Sequence, residues 1–188
     1  MSHSSVIIIN GMPCTGKTFL AAFLAKRLAV PLITKDGIKE ALFEALGYSD
    51  LTWSRSLGKA SFVLIYHFAE VELEAGRSII IEGNFHAEAA GVEFGRLQRT
   101  YGFSALQILC TTEPAALLER FRERSVSDER HPGHLDAQLY DDFGATVDKG
   151  EWPPIPIEGE LIRLDTTNFA NIDYETLARR VAGFLAGE

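Results

Sequence analysis

The sequence predicts an α/β domain built on a five-stranded, doubly wound parallel sheet. Two observations carry that expectation. Five short apolar runs are continuous rather than alternating, which indicates burial on both faces. Segments of helical spacing separate them, and the order β-α-β-α-β-α-β-α-β is that of a parallel sheet. The length of 188 residues suits one domain with room for a small insert.

The elements follow in order. Val6-Ile7-Ile8-Ile9 reads as the first strand, and Phe19-Leu20-Ala21-Ala22-Phe23-Leu24 lies in a helix over 17–29. A second strand at 31–34 leads into a helix over 36–46. A long helical segment over 55–75 comes next. The stretch 51–75 exceeds what a minimal core needs, so it is expected to be a substrate-side insert. Within it Phe62, Ile65, Phe68 and Ala69 have the spacing of a packed face, with His67 beside them. Glu70, Glu72 and Glu74 read as solvated. Strands at 78–81 and 105–110 alternate with helices over 88–100 and 114–124. A helix over 136–149 and the stiff Trp152-Pro153-Pro154-Ile155-Pro156 connection lead into a last strand at 160–164 and a helix over 173–186. The whole of 1–188 is expected to be one domain, with a lid over about 120–135.

Composition excludes several function classes. Lys and Arg total 18 and Asp and Glu total 26, a formal charge of −8. Such acidity argues against a general nucleic-acid binder. An apolar share of 46% argues against disorder. The two cysteines, Cys14 and Cys110, cannot form a disulfide scaffold and suit a reducing compartment. The apolar run 6–9 is shorter than a signal-peptide core, and no run approaches the ~18 residues of a membrane span. A cytoplasmic protein without membrane or nucleic-acid partners is expected.

The strongest motif is Gly11-Met12-Pro13-Cys14-Thr15-Gly16-Lys17-Thr18. It satisfies G-x-x-x-x-G-K-[ST], the phosphate-binding Walker A loop, and lies between a strand and a helix as that chemistry requires. Main-chain N–H groups of the loop and the helix N-terminus converge on a polyphosphate. Gly11 and Gly16 let the backbone turn and approach. Lys17 is expected at the β- and γ-phosphates, and Thr18 on Mg²⁺. Cys14 lies in the same N–H field, which is expected to lower its thiol pKa.

Ligands bind at the carboxyl ends of strands in such sheets. Asp36 follows the second strand, where a carboxylate can hold and deprotonate an acceptor hydroxyl, or cap the helix that follows. Glu82 ends the third strand, where an acid helps hold Mg²⁺. Asn84 and His86 follow it and are placed toward the acceptor, with a left-handed turn at Asn84 and a solvated His86 as the alternative. Trp53 and Arg55 are further acceptor contacts at the start of the insert. Arg120, Arg124 and Arg130 suit the charge of a transferring phosphoryl group, whereas Arg122 points away from Arg120 and Arg124 on a helix. His131 and His134 are three apart, but no further His or Cys cluster accompanies them to make a zinc site.

These residues together resemble the small bacterial P-loop kinases of AAA type, relatives of chloramphenicol phosphotransferase, gluconate kinase and zeta toxin. The resemblance rests on the Walker A loop, Thr34-Lys35-Asp36 with Ile38-Lys39-Glu40, Glu82-Gly83-Asn84-Phe85, and Arg130-His131-Pro132-Gly133-His134. It implies a three-layer P-loop NTPase fold of nucleoside-monophosphate-kinase type, with strand order 2-3-1-4-5 and a helical lid. It further implies ATP with Mg²⁺ and phosphorylation of a small-molecule hydroxyl; a monomer or a homodimer is expected. It places Asp36 as the base, Arg120, Arg124 and Arg130 as lid arginines, and Asp165 and Thr167 beside the adenine. Glu82 departs from the usual Asp. Two alternatives are a zeta-toxin-like nucleotide-sugar kinase and a non-catalytic ATP-binding switch module.

Overall fold

The central strand β1 (Ser5–Gly11) is buried along its whole length, as its unbroken Val6-Ile7-Ile8-Ile9 run demands. It pairs in parallel with β3 (Ile79–Glu82) on one side and β4 (Ser104–Thr111) on the other. β2 (Leu32–Thr34) flanks β3 and β5 (Glu160–Asp165) flanks β4. The sheet is therefore parallel throughout in the order β2-β3-β1-β4-β5, as the resemblance implies. The computed structural model describes residues 4–127, 130–147 and 152–188.

Alternate side chains of β1 serve two cores. Val6 and Ile8 pack under α3 (Leu51–Glu74) and α4 (Ala87–Tyr101), against Ile65, Ala69 and Phe94. Ile7 and Ile9 face α1 (Lys17–Leu28) and α7 (Tyr174–Ala186), against Leu20, Leu24 and Val181. Each such isoleucine stabilises the fold by about 1.5–3 kcal/mol, an upper value that ignores burial in the unfolded chain. A third, smaller cluster joins Met12 of the phosphate loop to α5 (Pro114–Ser125) and α6 (Tyr140–Val147) through Leu117, Phe121 and Phe143. α2 (Lys35–Leu46) follows β2 and packs on α3.

Three expectations need correction. The 51–75 stretch is one continuous helix, capped by Asp50, which accepts from the Trp53 N–H at 2.9 Å. Its second half is core rather than insert, because Ser61, Ile65, Ala69 and Leu73 form a buried i, i+4 stripe on the sheet. Phe68 sits off that stripe and is 47% exposed, and His67 beside it is exposed too. The expected 136–149 helix begins instead as a 3-10 turn at Asp136–Leu139 before α6, and residues 148–149 lie outside the described ones. Among the described residues, no helix is long and apolar enough to cross a membrane.

Candidate active site

β1 delivers the phosphate loop to the carboxyl edge of the sheet. Gly11 has φ +149°, and a Cβ there would run into the Cys110 carbonyl of β4. Gly16, φ +79°, opens α1 without any side-chain cap, and no acid occupies the first turn. The first N–H groups of α1 are thus left for an anion. Lys17 Nζ donates to the Met12 carbonyl at 2.8 Å and lies 3.9 Å from Glu82 Oε1. Thr18 Oγ1 donates to Glu82 Oε2 at 3.4 Å. Pro13, Cys14, Gly16, Lys17 and Thr18 line a cleft of about 480 Å³. Gly11, Met12 and Thr15 form the buried underside of the loop, where Thr15 Oγ1 donates to the Met12 carbonyl. Burial pushes the Cys14 thiol pKa up and outweighs Arg124 and Lys17 nearby, contrary to the lowering expected from the loop dipole.

Across the cleft stands Asp36. The cap of α2 is Thr34, whose Oγ1 accepts from the Gly37 N–H at 3.1 Å, so Asp36 is free of that duty. Lys35 Nζ and Arg130 Nη1 each meet its carboxylate at 2.9 Å. Burial would raise the Asp36 pKa, but these two cations hold it well below the usual carboxylate range. Glu82, at the end of β3, is 4% exposed, and burial pushes its carboxyl up against the opposing pull of Lys17.

The three arginines expected in a lid divide. Arg130 Nε and Arg124 Nη2 both bind Asp136 Oδ2, at 3.1 and 3.0 Å. Arg120 is not brought to this cluster. Its guanidinium donates to the Thr166 and Thr167 carbonyls at 3.0 and 2.7 Å and stacks 3.9 Å over the Phe169 ring. Phe169 in turn lies against Gly16, where an added Cβ would meet the ring at 2.6 Å. The segment expected as a lid runs from α5 through the 3-10 turn Pro132–His134, with 128–129 outside the described residues. His131 stacks on Phe43 at 4.9 Å. His134 is buried, and its ring with the proton on Nε2 donates to Glu40 Oε1 at 2.8 Å. Burial, with Arg130 and Lys39 close by, draws its pKa down to about 3, so the ring is neutral.

Several expected site residues lie elsewhere. Asn84 lines the cleft, but His86 is turned against the Trp152 ring at 4.9 Å. Arg55 faces outward from α3 and pairs with Asp142 at 3.4 Å. Trp53 is held by the Gly47 carbonyl, to which its Nε1 donates at 3.0 Å. Asp165 accepts from the Thr167 N–H at 2.8 Å and so serves the turn after β5, whereas Thr167 Oγ1 accepts from the Glu113 N–H at 3.0 Å and ties that turn to the start of α5. Phe169, four residues past Asp165, is the side chain of that turn that lines the cleft. Sequence reasoning missed Phe169, Asp136 and the cleft role of Lys39. Lys39 had a signal, since it stands at i+3 from Asp36 and shares its helix face; Phe169 and Asp136 had none.

The model of the AAA domain family matches residues 6–148. Among solved structures, the chain is similar to a protein of Chloroflexus aurantiacus J-10-fl provisionally named a kinase, at 36% identity and TM-score 0.90, over 96% of this chain and 97% of that one. It is also similar in fold to the APS kinase of Mycobacterium tuberculosis in complex with AMPPNP and APS, at 16% identity and TM-score 0.59, over 100% of both chains. A gluconokinase of Sinorhizobium meliloti 1021 aligns at 12% identity and TM-score 0.52, over 98% of this chain and 93% of that one. No protein with a curated description matches.

Proposed function

This chain belongs to the AAA domain family, and on that premise we propose that it is an ATP-dependent phosphotransferase that moves the γ-phosphoryl group onto a hydroxyl of a small molecule. The observation that carries the reading is the meeting of two chemistries in one cleft: a phosphate cradle at 13–18 on one wall and an ionised carboxylate with arginines on the other. A protein that only binds nucleotide needs no second wall of this kind.

The residues divide the work. Loop amides and the α1 N-terminus bind the phosphates, and Lys17 leaves the Met12 carbonyl for the β- and γ-oxygens. Arg120 and Phe169 border the nucleotide end. Thr18 Oγ1 and the Glu82 carboxylate form an oxygen donor set that fits Mg²⁺. When bound, that ion supplies neutralisation of the phosphate charge. Asp36 accepts a hydrogen bond from the acceptor hydroxyl and orients its oxygen toward the γ-phosphorus. With its pKa so low, Asp36 takes the proton late, as the new P–O bond draws electrons from the attacking oxygen. Arg124 and Arg130 stabilise the transferring group and help exclude water.

A coupled ADP-release screen over hydroxylated metabolites, sugars, nucleosides and nucleotide sugars tests the reading. Acceptor-dependent ADP release that Lys17→Ala abolishes is the expected result. Tight ATP binding with no acceptor effect in the whole screen would refute it.

A further inference from the structure

Six cationic side chains line the cleft, and their partners differ. Lys17, Lys35, Arg124 and Arg130 each lean on a carboxylate, and Arg120 on carbonyl oxygens. Lys39 has neither among the described residues. Its Nζ donates to Ser54 Oγ at 2.8 Å, and that hydroxyl spends its own proton on the Gly133 carbonyl at 2.8 Å. The side chain is 7% exposed, passes Gly58 of α3 and ends 5.1 Å from the centre of the Phe43 ring. A buried ammonium with no carboxylate in ion-pair contact among the described residues is costly to hold. Burial, with Lys35 and Arg130 nearby, draws its pKa down to about 8 against the opposing pull of the more distant Asp36 and Asp136 carboxylates, so it stays mostly charged at neutral pH.

Position gives this charge a use. Lys39 follows Asp36 by three residues on α2, which puts their Cβ atoms about 5–6 Å apart on one face. A molecule whose hydroxyl rests on Asp36 brings its next few atoms to Lys39. We propose that Lys39 is a specificity-determining residue that receives an anionic group, carboxylate or phosphate, carried by the acceptor a few bonds from the reacting hydroxyl. The substrate class is then small hydroxy acids or phosphorylated alcohols rather than neutral polyols. This inference rests on the phosphotransfer reading of the same cleft.

Two measurements on the full chain test it. In the first, lysine Nζ groups are isotope-labelled and the nucleotide loop is filled with Mg·AMPPNP. The Lys39 resonance is identified by its loss in Lys39→Met and in Lys39→Arg. Inorganic phosphate or acetate should move it at concentrations where glycerol does not; a resonance indifferent to both anions overturns the inference. In the second, ADP release is followed with D-glycerate, glycerol 3-phosphate and glycerol. At least one acid should exceed glycerol by about tenfold or more in kcat/KM, and the better acid identifies the anion. Lys39→Met should lower that value by about 100-fold, mainly through KM, while Lys39→Arg keeps more than about a tenth of it. Glycerol equal to the acids, or an equal loss on glycerol in Lys39→Met, also overturns it. A responding Lys39 with no acceptor-driven ADP release in the broad screen would leave the anion subsite standing and remove the phosphotransfer reading instead.

Discussion

Arg130 Nη1 donates to Asp36 Oδ2 at 2.9 Å, joining residues 94 positions apart. The same guanidinium reaches Asp136 through Nε at 3.1 Å. Arg130 and Asp136 are thereby tied to the carboxylate that faces the phosphate loop, and in the proposed reaction an acceptor hydroxyl shares Asp36 with Arg130. A hydrogen bond between two ionised groups is stronger than a neutral one, so this latch sets the resting geometry of the cleft.

Asp36→Asn removes the proton acceptor and both ion pairs. Acceptor-dependent ADP release should fall by about 10²- to 10⁴-fold while Mg·ATP affinity, read by calorimetry, changes little. A near-normal rate in the variant would remove Asp36 from the mechanism. Since the Asp36 carboxyl is held well below its ordinary range, the wild-type pH–rate profile should show no acid limb from this group between pH 7 and about 5.

Arg130→Ala should lower kcat by about 10²- to 10³-fold with a much smaller change in ATP affinity. Arg130→Lys should recover little, because an ammonium cannot span Asp36 and Asp136 with separate nitrogens as the guanidinium does. Parallel losses in turnover and ATP affinity would instead place Arg130 in nucleotide binding.

The two loop glycines should fail differently. Gly11→Ala drives a Cβ into the main-chain oxygen of Cys110, which cannot move without parting β1 from β4. Urea unfolding should show a loss of about 2–3 kcal/mol. Gly16→Ala meets only the Phe169 ring, which can turn aside. Its effect should fall on nucleotide affinity, by about tenfold or more, with a smaller loss of stability.

His134 makes the fold acid-sensitive. Its pKa is about 3 in the fold against an ordinary value of 6.5, so on acidification the unfolded chain takes the proton first. Stability is full above pH 6.5 and drains as pH falls from there toward 3, by about 2 kcal/mol between pH 7 and 5 for this one group. Thermal unfolding across that range should show the slope. His134→Gln keeps a donor for Glu40 without titrating, and should flatten it.

Legibility in the sequence followed distance along the chain. The strand, loop and helix over 6–28 could be read directly because their causes are local. Four consecutive apolar β-branched residues specify a buried strand, and the glycines at 11 and 16 sit where the backbone needs positive φ. The other four strand positions were legible from local apolar runs too, but the expected burial on both faces holds for β1, β3 and β4 and fails at the sheet edges, where β2 is half-buried and four of the six β5 residues are exposed. The facing of charged side chains was not legible. Arg55, His86, Asp165 and Thr167 carry suitable groups, yet Arg55 is spent on Asp142, His86 on Trp152, Asp165 on a local turn and Thr167 on the start of α5.

The chain by itself thus settles a parallel α/β sheet and a phosphate cradle, since periodicity and an eight-residue motif act between neighbours. Packing decides which distant groups share the cleft. Asp36 meets Arg130, Arg130 and Arg124 meet at Asp136, Phe169 covers Gly16, and Lys39 finds Ser54 and the Phe43 ring. Each of these pairings depends on where α2, α3, α5 and the turn after β5 come to rest, and that is set by the burial of their apolar faces rather than by the charged residues themselves.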